Sequence, residues 1–159
     1  MRKPEPSAET SPALPLPGEG KRGEDGHVAY LLRQAAVAFR TRMERTLADL
    51  SVTQPQFAVL TMVAAYPGLS NADLARLSLL TPQTCSVIVG NLKKSGALVS
   101  RPHAVHGRIR QLSLTPEGET LLARCKERVR VLEDDLADGL SAAEERSLRR
   151  WLVRVAAGS

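Results

Sequence analysis

Five hydroxyl residues, Thr53, Ser70, Thr81, Thr115 and Ser141, stand one position ahead of a helical pattern, and they constrain the fold more than any other feature. Each has the chemistry of an N-cap, because its side-chain oxygen can accept from the free backbone N–H groups of a helix start. Thr53 is followed three residues on by Gln56, Ser70 by Asp73 and Ser141 by Glu144, the spacing at which two residues cap each other reciprocally. Thr81-Pro82 and Thr115-Pro116 place proline at the first helical position, where its missing N–H costs nothing. A sixth helix is predicted from His27 to about Leu50. There Val28, Leu31, Leu32, Ala35, Phe39, Met43 and Leu47 recur at steps of three or four.

The helical pattern is interrupted once. Gly96 has the place of a glycine that ends a helix, and Leu98-Val99-Ser100-Arg101 then reads as a strand. A second strand, about Arg108 to Leu114, alternates so that Arg108, Arg110, Leu112 and Leu114 share a face. Helices, one hairpin and then long helices predict a mainly α chain with a small β-hairpin wing. The expected fold is a winged helix-turn-helix lobe at about 51–115, enclosed by dimerisation helices at about 27–50 and 116–157.

Residues 1–25 hold five of the ten prolines and almost no apolar periodicity, and are read as a tail without regular structure; the folded domain is placed at 26–159. The length of 159 residues and a composition 43% apolar and 25% charged fit one soluble domain. The apolar run Phe57 to Tyr66 is much shorter than the ~20 residues that cross a bilayer, and no apolar leader precedes Val28, so a cytoplasmic protein without a membrane partner is expected. Cys85 and Cys125 have neither disulfide-framework nor metal-ligand spacing. His103 and His106 lack the further ligands that a metal site needs, and no metal or other cofactor is expected.

The net charge of +5 is unevenly distributed. Between residues 51 and 115, Asp73 is the only acid, against Arg76, Lys93, Lys94, Arg101, Arg108 and Arg110, while the segments on either side are nearly balanced. A basic lobe between near-neutral arms has the electrostatic footprint of a polyanion-binding module. With only five aromatic residues the chain lacks a stacking platform for single strands, so double-stranded DNA is the expected partner.

The segment from Ser70 to Ser95 has the two-helix spacing of a helix-turn-helix, whose second helix enters the major groove. At 100° per residue, Cys85, Ile88, Val89 and Leu92 face the core, and Gln83, Val87, Gly90 and Lys94, flanked by Ser86 and Asn91, face away. An exposed Val and Gly suit close packing on a groove wall, with Val87 against a thymine methyl and Gln83 or Asn91 on adenine edges. The expected DNA contacts are Ser70, Asn71, Gln83, Thr84, Ser86, Val87, Asn91 and Lys94 of the two helices. To these the wing adds Arg101, His106, Arg108 and Arg110.

The phrases QPQFAVL (54–60), ADLAR (72–76), TPQTCS (81–86), LKKSG (92–96) and LSLTPEG (112–118) resemble the MarR family of bacterial transcriptional regulators. The resemblance covers residues 27–157. It implies a homodimer in which the first helix and the last two intertwine. It also implies binding to a pseudo-palindromic operator as a repressor, and a small-molecule or oxidant input that alters lobe spacing. The family's wing commonly carries an Asp-x-Arg pair where this chain has His106 and Arg108, and its recognition helix often has arginines where Val87 and Asn91 stand here.

Independently of that resemblance, long amphipathic helices on both sides of a winged module need a partner. The stripe Leu121, Leu122, Cys125, Val129, Leu132 and Leu136 followed by the Trp151 helix therefore predicts a homodimer. No catalytic constellation is present: there are three histidines, no carboxylate pair in the basic lobe and no phosphate-cradling loop. Two alternatives to DNA reading remain. One is a winged protein-interaction module using the Val87 and Gly90 face; the other is a redox-responsive regulator using Cys85, although a core-facing thiol is a poor sensor.

Overall fold

A computed structural model of the chain describes residues 14–102 and 110–158. These hold α1 (Val28–Leu47), α2 (Gln54–Ala65), α3 (Asn71–Leu77), α4 (Pro82–Lys94), β1 (Leu98–Pro102), β2 (Arg110–Leu114), α5 (Pro116–Ala137) and α6 (Ala142–Ala157). All five hydroxyl caps form as the sequence predicts. Thr53, Ser70, Thr81, Thr115 and Ser141 accept from the backbone N–H three residues on. The reciprocal capping box is complete at Thr53 and Ser141 but not at Ser70, where the spacing predicts one and the Asp73 carboxylate instead accepts from the Ser70 hydroxyl. Each such cap is worth about 1 kcal/mol, which helps a helix as short as α3 to hold its first turn.

The chain divides into two units, Met1–Phe39 and Arg40–Ser159, with the boundary inside α1. In the first unit, residues 14–25 fall in the segment expected to be an irregular tail, yet they carry a 3-10 turn at Gly20–Arg22. Arg22 Nε donates to Gln34 Oε1 at 3.1 Å and Gln34 Nε2 donates to Arg22 O at 3.0 Å, so this turn is tied to α1. The tie involves residues 12 apart, a separation invisible to local periodicity.

The second unit holds the core. Val59, Leu60 and Val63 of α2, Leu74 and Ala75 of α3, Cys85, Val89 and Leu92 of α4, and Leu122 of α5 are buried together with Ala97 and Leu98. β1 and β2 pair antiparallel with Leu98 opposite Leu114, Ser100 opposite Leu112 and Arg101 opposite Gln111. Leu112 and Leu114 pack on the core, and by the two-residue period Arg101 belongs to the opposite face. Arg110 continues the same backbone register, opposite Pro102.

The first helix ends at Leu47, short of the Leu50 expected. Its last turn tightens into a 3-10 segment, Ala48–Leu50, and Ser51 takes a left-handed conformation with φ 53°. Of its predicted apolar face only Met43 and Leu47 are buried. Near that end, Arg42 pairs with Asp135 of α5, and Arg128 of α5 donates to Asp49 at 2.9 Å. α6 has no buried residue: Leu148, Leu152, Val153 and Val155 are all exposed.

Candidate nucleic-acid interface

The recognition element is built from the way α4 is closed at both ends. At its start, Thr81 Oγ1 accepts from Thr84 N at 3.2 Å and Pro82 supplies a preset φ. At its end, Ala97 N donates to Leu92 O at 2.9 Å and Gly96 N to Lys93 O at 3.2 Å, the paired bonds of a Schellman motif, with Gly96 at φ +81°. Ala97 and Leu92 are both buried, which supplies the apolar contact that accompanies this cap.

The start of α5 then locks onto the end of α4. Thr115 Oγ1 caps Gly118 N at 3.0 Å and donates to Gly96 O at 2.5 Å, while Thr115 N donates to Ala97 O at 3.1 Å. Gly118 lies against the Ala97 carbonyl, and a Cβ at that position would overlap the oxygen. The LSLTPEG phrase therefore has a mechanical meaning: its threonine and glycine join the wing, the recognition helix and α5 at one point.

Around α4 the two predicted faces separate as expected from 100° per residue. Cys85, Val89 and Leu92 are buried, while Gln83, Thr84, Ser86, Val87, Asn91 and Lys94 are exposed. Val87 is 59% exposed, and no heavy atom lies within 4 Å of where a Cβ at Gly90 would be. This outward face is therefore open, and its middle carries no side chain larger than valine.

The acceptor and donor groups on this face are unequally engaged. Ser70 Oγ accepts from Asp73 N at 3.1 Å and donates to Asp73 Oδ2 at 2.6 Å, so its hydroxyl belongs to the cap of α3. Asn71 Nδ2 donates to Ser86 Oγ at 2.9 Å. Thr84 Oγ1 accepts from Thr81 Oγ1 at 2.8 Å. The side chains of Gln83, Asn91, Lys93, Lys94 and Arg101 form no hydrogen bond or ion pair among the described residues. The lobe's one acid, Asp73, pairs with Arg76 at 3.2 Å. His103, His106 and Arg108 lie outside the described residues, and of Arg110 the backbone pairing alone is described.

Both cysteines are buried thiols, and burial pushes each above its ordinary pKa. For Cys125 the nearby Arg124 opposes that shift and Asp49 reinforces it. A protonated, enclosed Cys85 is a weak nucleophile. What the residue pattern could not reveal is the bridge between Asn71 and Ser86, which are 15 positions apart on different helices. No period links such a pair, and only the docking of α3 on α4 brings them together.

Residues 49–109 match the sequence profile of the MarR family. Over 133 residues the chain is 33% identical to the HTH-type transcriptional repressor Rv2887 of Mycobacterium tuberculosis, covering 83% of this chain and 95% of that protein. The structure of Rv2887 with p-aminosalicylic acid is similar at TM-score 0.67 and 29% identity, covering 84% of this chain and all (100%) of that one. The repressor CouR bound to a 23-mer DNA duplex is similar at TM-score 0.75 and 25% identity, covering 86% of this chain and 96% of that one. With its capped helix-turn-helix, its two-stranded wing and this extent of identity, the chain belongs to the MarR family of transcriptional regulators.

Proposed function

We propose that this chain is a sequence-specific, double-stranded-DNA-binding transcriptional repressor that acts as a homodimer in the cytoplasm and is released by a small aromatic acid. The observation that carries the reading is the open face of α4, where Gln83 and Asn91 have uncommitted amides beside exposed Val87 and Lys94. Free amides offer paired donors and acceptors for base edges, a valine offers contact to a thymine methyl, and the cations position the helix on phosphates. The repressor role and the duplex are supported by the similar proteins, and the aromatic acid by p-aminosalicylic acid in Rv2887.

Homodimerisation is supported by the apolar residues that the chain leaves uncovered on α6, with Val131 and Leu136 of α5. Such a stripe on an amphipathic helix is stable in water only when covered. A two-fold dimer would present two α4 helices, and half-sites about 34 Å apart would suit successive major grooves. The chemistry is binding, without a reaction step.

The test is selection from a random pool of DNA duplexes followed by gel-shift titration over a range of salt. Enrichment of a two-fold symmetric sequence, bound with an affinity that falls steeply as salt rises, is the expected result. Failure to enrich any sequence, or an affinity indifferent to salt, would point to the protein-interaction use of the Val87 face and sink the proposal. Adding p-aminosalicylic acid to the same titration tests the release step.

A further inference from the structure

Two polar side chains on the rim of α4's outward face are turned toward protein. Asn71, the first residue of α3, donates from Nδ2 to Ser86 Oγ at 2.9 Å, and Ser86 Oγ donates in turn to Pro82 O at 2.9 Å. At the other end of the same amide, Oδ1 accepts a weak bond from Cys85 Sγ at 3.7 Å. One planar amide at the start of α3 thus holds two consecutive residues of α4, one at the core side and one at the rim.

Cys85 and Ser86 are separated by 100° around the helix axis. A roll of α4 that relaxes one contact therefore strains the other, so the amide holds the helix against rotation in either sense. The aim of Gln83, Val87 and Asn91 depends on that roll, because all three project from α4 alone. Gly90, in the middle of α4 with open space around it, contributes no side chain that could set the roll instead.

We infer that Asn71 is a positioning residue for base reading, clamping α4 through Ser86 and Cys85, and that neither Asn71 nor Ser86 is itself a base contact. The inference rests on the DNA-binding function proposed above. It divides the polar groups near the open face into a clamp, Asn71 with Ser86, and readers, Gln83 and Asn91. A reader lost from the face should weaken one base position, whereas a clamp lost should blur all of them.

The experiment compares wild type, Asn71→Ala, Ser86→Ala and the double variant for binding to the duplex that wild type enriches and to a scrambled duplex of the same length, at one salt concentration. Each single variant is expected to lower the ratio of the two affinities about three- to tenfold, the scale of one neutral hydrogen bond. The double variant should lose no more than the worse single, since both substitutions remove one interaction. Affinity for the scrambled duplex should be unchanged throughout, a readout that a general loss of stability or of a phosphate contact would move.

Multiplicative losses in the double variant, equal losses on both duplexes, or an unchanged ratio in both single variants would overturn the inference. If Asn71→Ala does not fold, Ser86→Ala, altered at an exposed position, carries the ratio test with Gln83→Ala as its partner. The clamp then predicts a combined loss smaller than the product of the two, and a full product overturns it. A wild-type protein that enriches no duplex overturns the function itself and the clamp with it. Independent losses in a protein that does select DNA overturn the clamp alone.

Discussion

Gly118 and Ala97 meet backbone to backbone where α5 crosses the root of the wing, so closely that a Cβ on residue 118 would overlap the Ala97 carbonyl oxygen. That oxygen also accepts from Thr115 N at 3.1 Å, so it cannot move away without breaking the connection. Gly118→Ala is expected to lower unfolding stability by about 3 kcal/mol, the upper range for overpacking a site that cannot relax. Urea unfolding followed by circular dichroism, at fixed protein concentration because the stability of a dimer would depend on it, checks this. A loss below about 1 kcal/mol would mean that the two segments can separate without penalty.

Lys94 and Gln83 sit at opposite ends of α4's open face and should fail in different ways. Lys94→Ala should weaken binding to every duplex alike and reduce the slope of log affinity against log salt by about one per protomer. Gln83→Ala should leave that slope alone and cost about 1–3 kcal/mol of discrimination at one base position. Titrations on matched and singly altered duplexes separate the two outcomes.

Leu79, in the turn between α3 and α4, is 92% exposed and has φ +55°, a conformation in which a side chain crowds its own backbone. Since its side chain covers little, Leu79→Gly should raise stability by roughly 1 kcal/mol, with the relief of strain exceeding the added entropy of the unfolded chain. Thermal unfolding of the two proteins under identical conditions measures it, and a lower midpoint for the glycine variant would count against strain at this turn.

Leu152 is 41% exposed on α6, a helix with no buried residue of its own. Leu152→Glu places a charge on the face expected to be covered by the second copy. Sedimentation should show the mass falling to that of one chain, and affinity for the two-fold operator should fall by a factor on the order of 100 as the linked second half-site is lost. A variant that remains dimeric would move the interface away from α6.

Both thiols are buried, and burial raises their pKa, so maleimide labelling of the native protein at neutral pH should be slow and should become rapid on unfolding. The raised folded-state values also set a sign. Below the ordinary thiol range the unfolded chain gains nothing by ionising, so this contribution to stability is complete there. As pH rises past about 8.5 the unfolded thiols ionise first and stability declines. Denaturation midpoints of wild type and of Cys125→Ala, compared between pH 7 and pH 10, should converge as pH rises.

Features whose physics is complete within one helical turn are legible in the residue order alone. A hydroxyl caps an N–H three residues away, a proline presets the first φ of α4 and α5, and Gly96 supplies the left-handed residue that closes α4. Each can be read from adjacent letters, and so can the side of α4 that carries Cys85, Val89 and Leu92. Which surface groups remain available depends instead on how the helices pack. Asn71 and Ser86 look like exposed polar residues of a helix-turn-helix until α3 docks on α4 and joins them, and the 3-10 turn at Gly20–Arg22 is tied to α1 through Gln34. The need for a glycine at 118 likewise comes from Ala97, 21 positions earlier, whose carbonyl reaches it through the closure of the wing. A hydrogen bond between distant residues depends on how two helices pack, and packing is set by the whole core rather than by either segment alone.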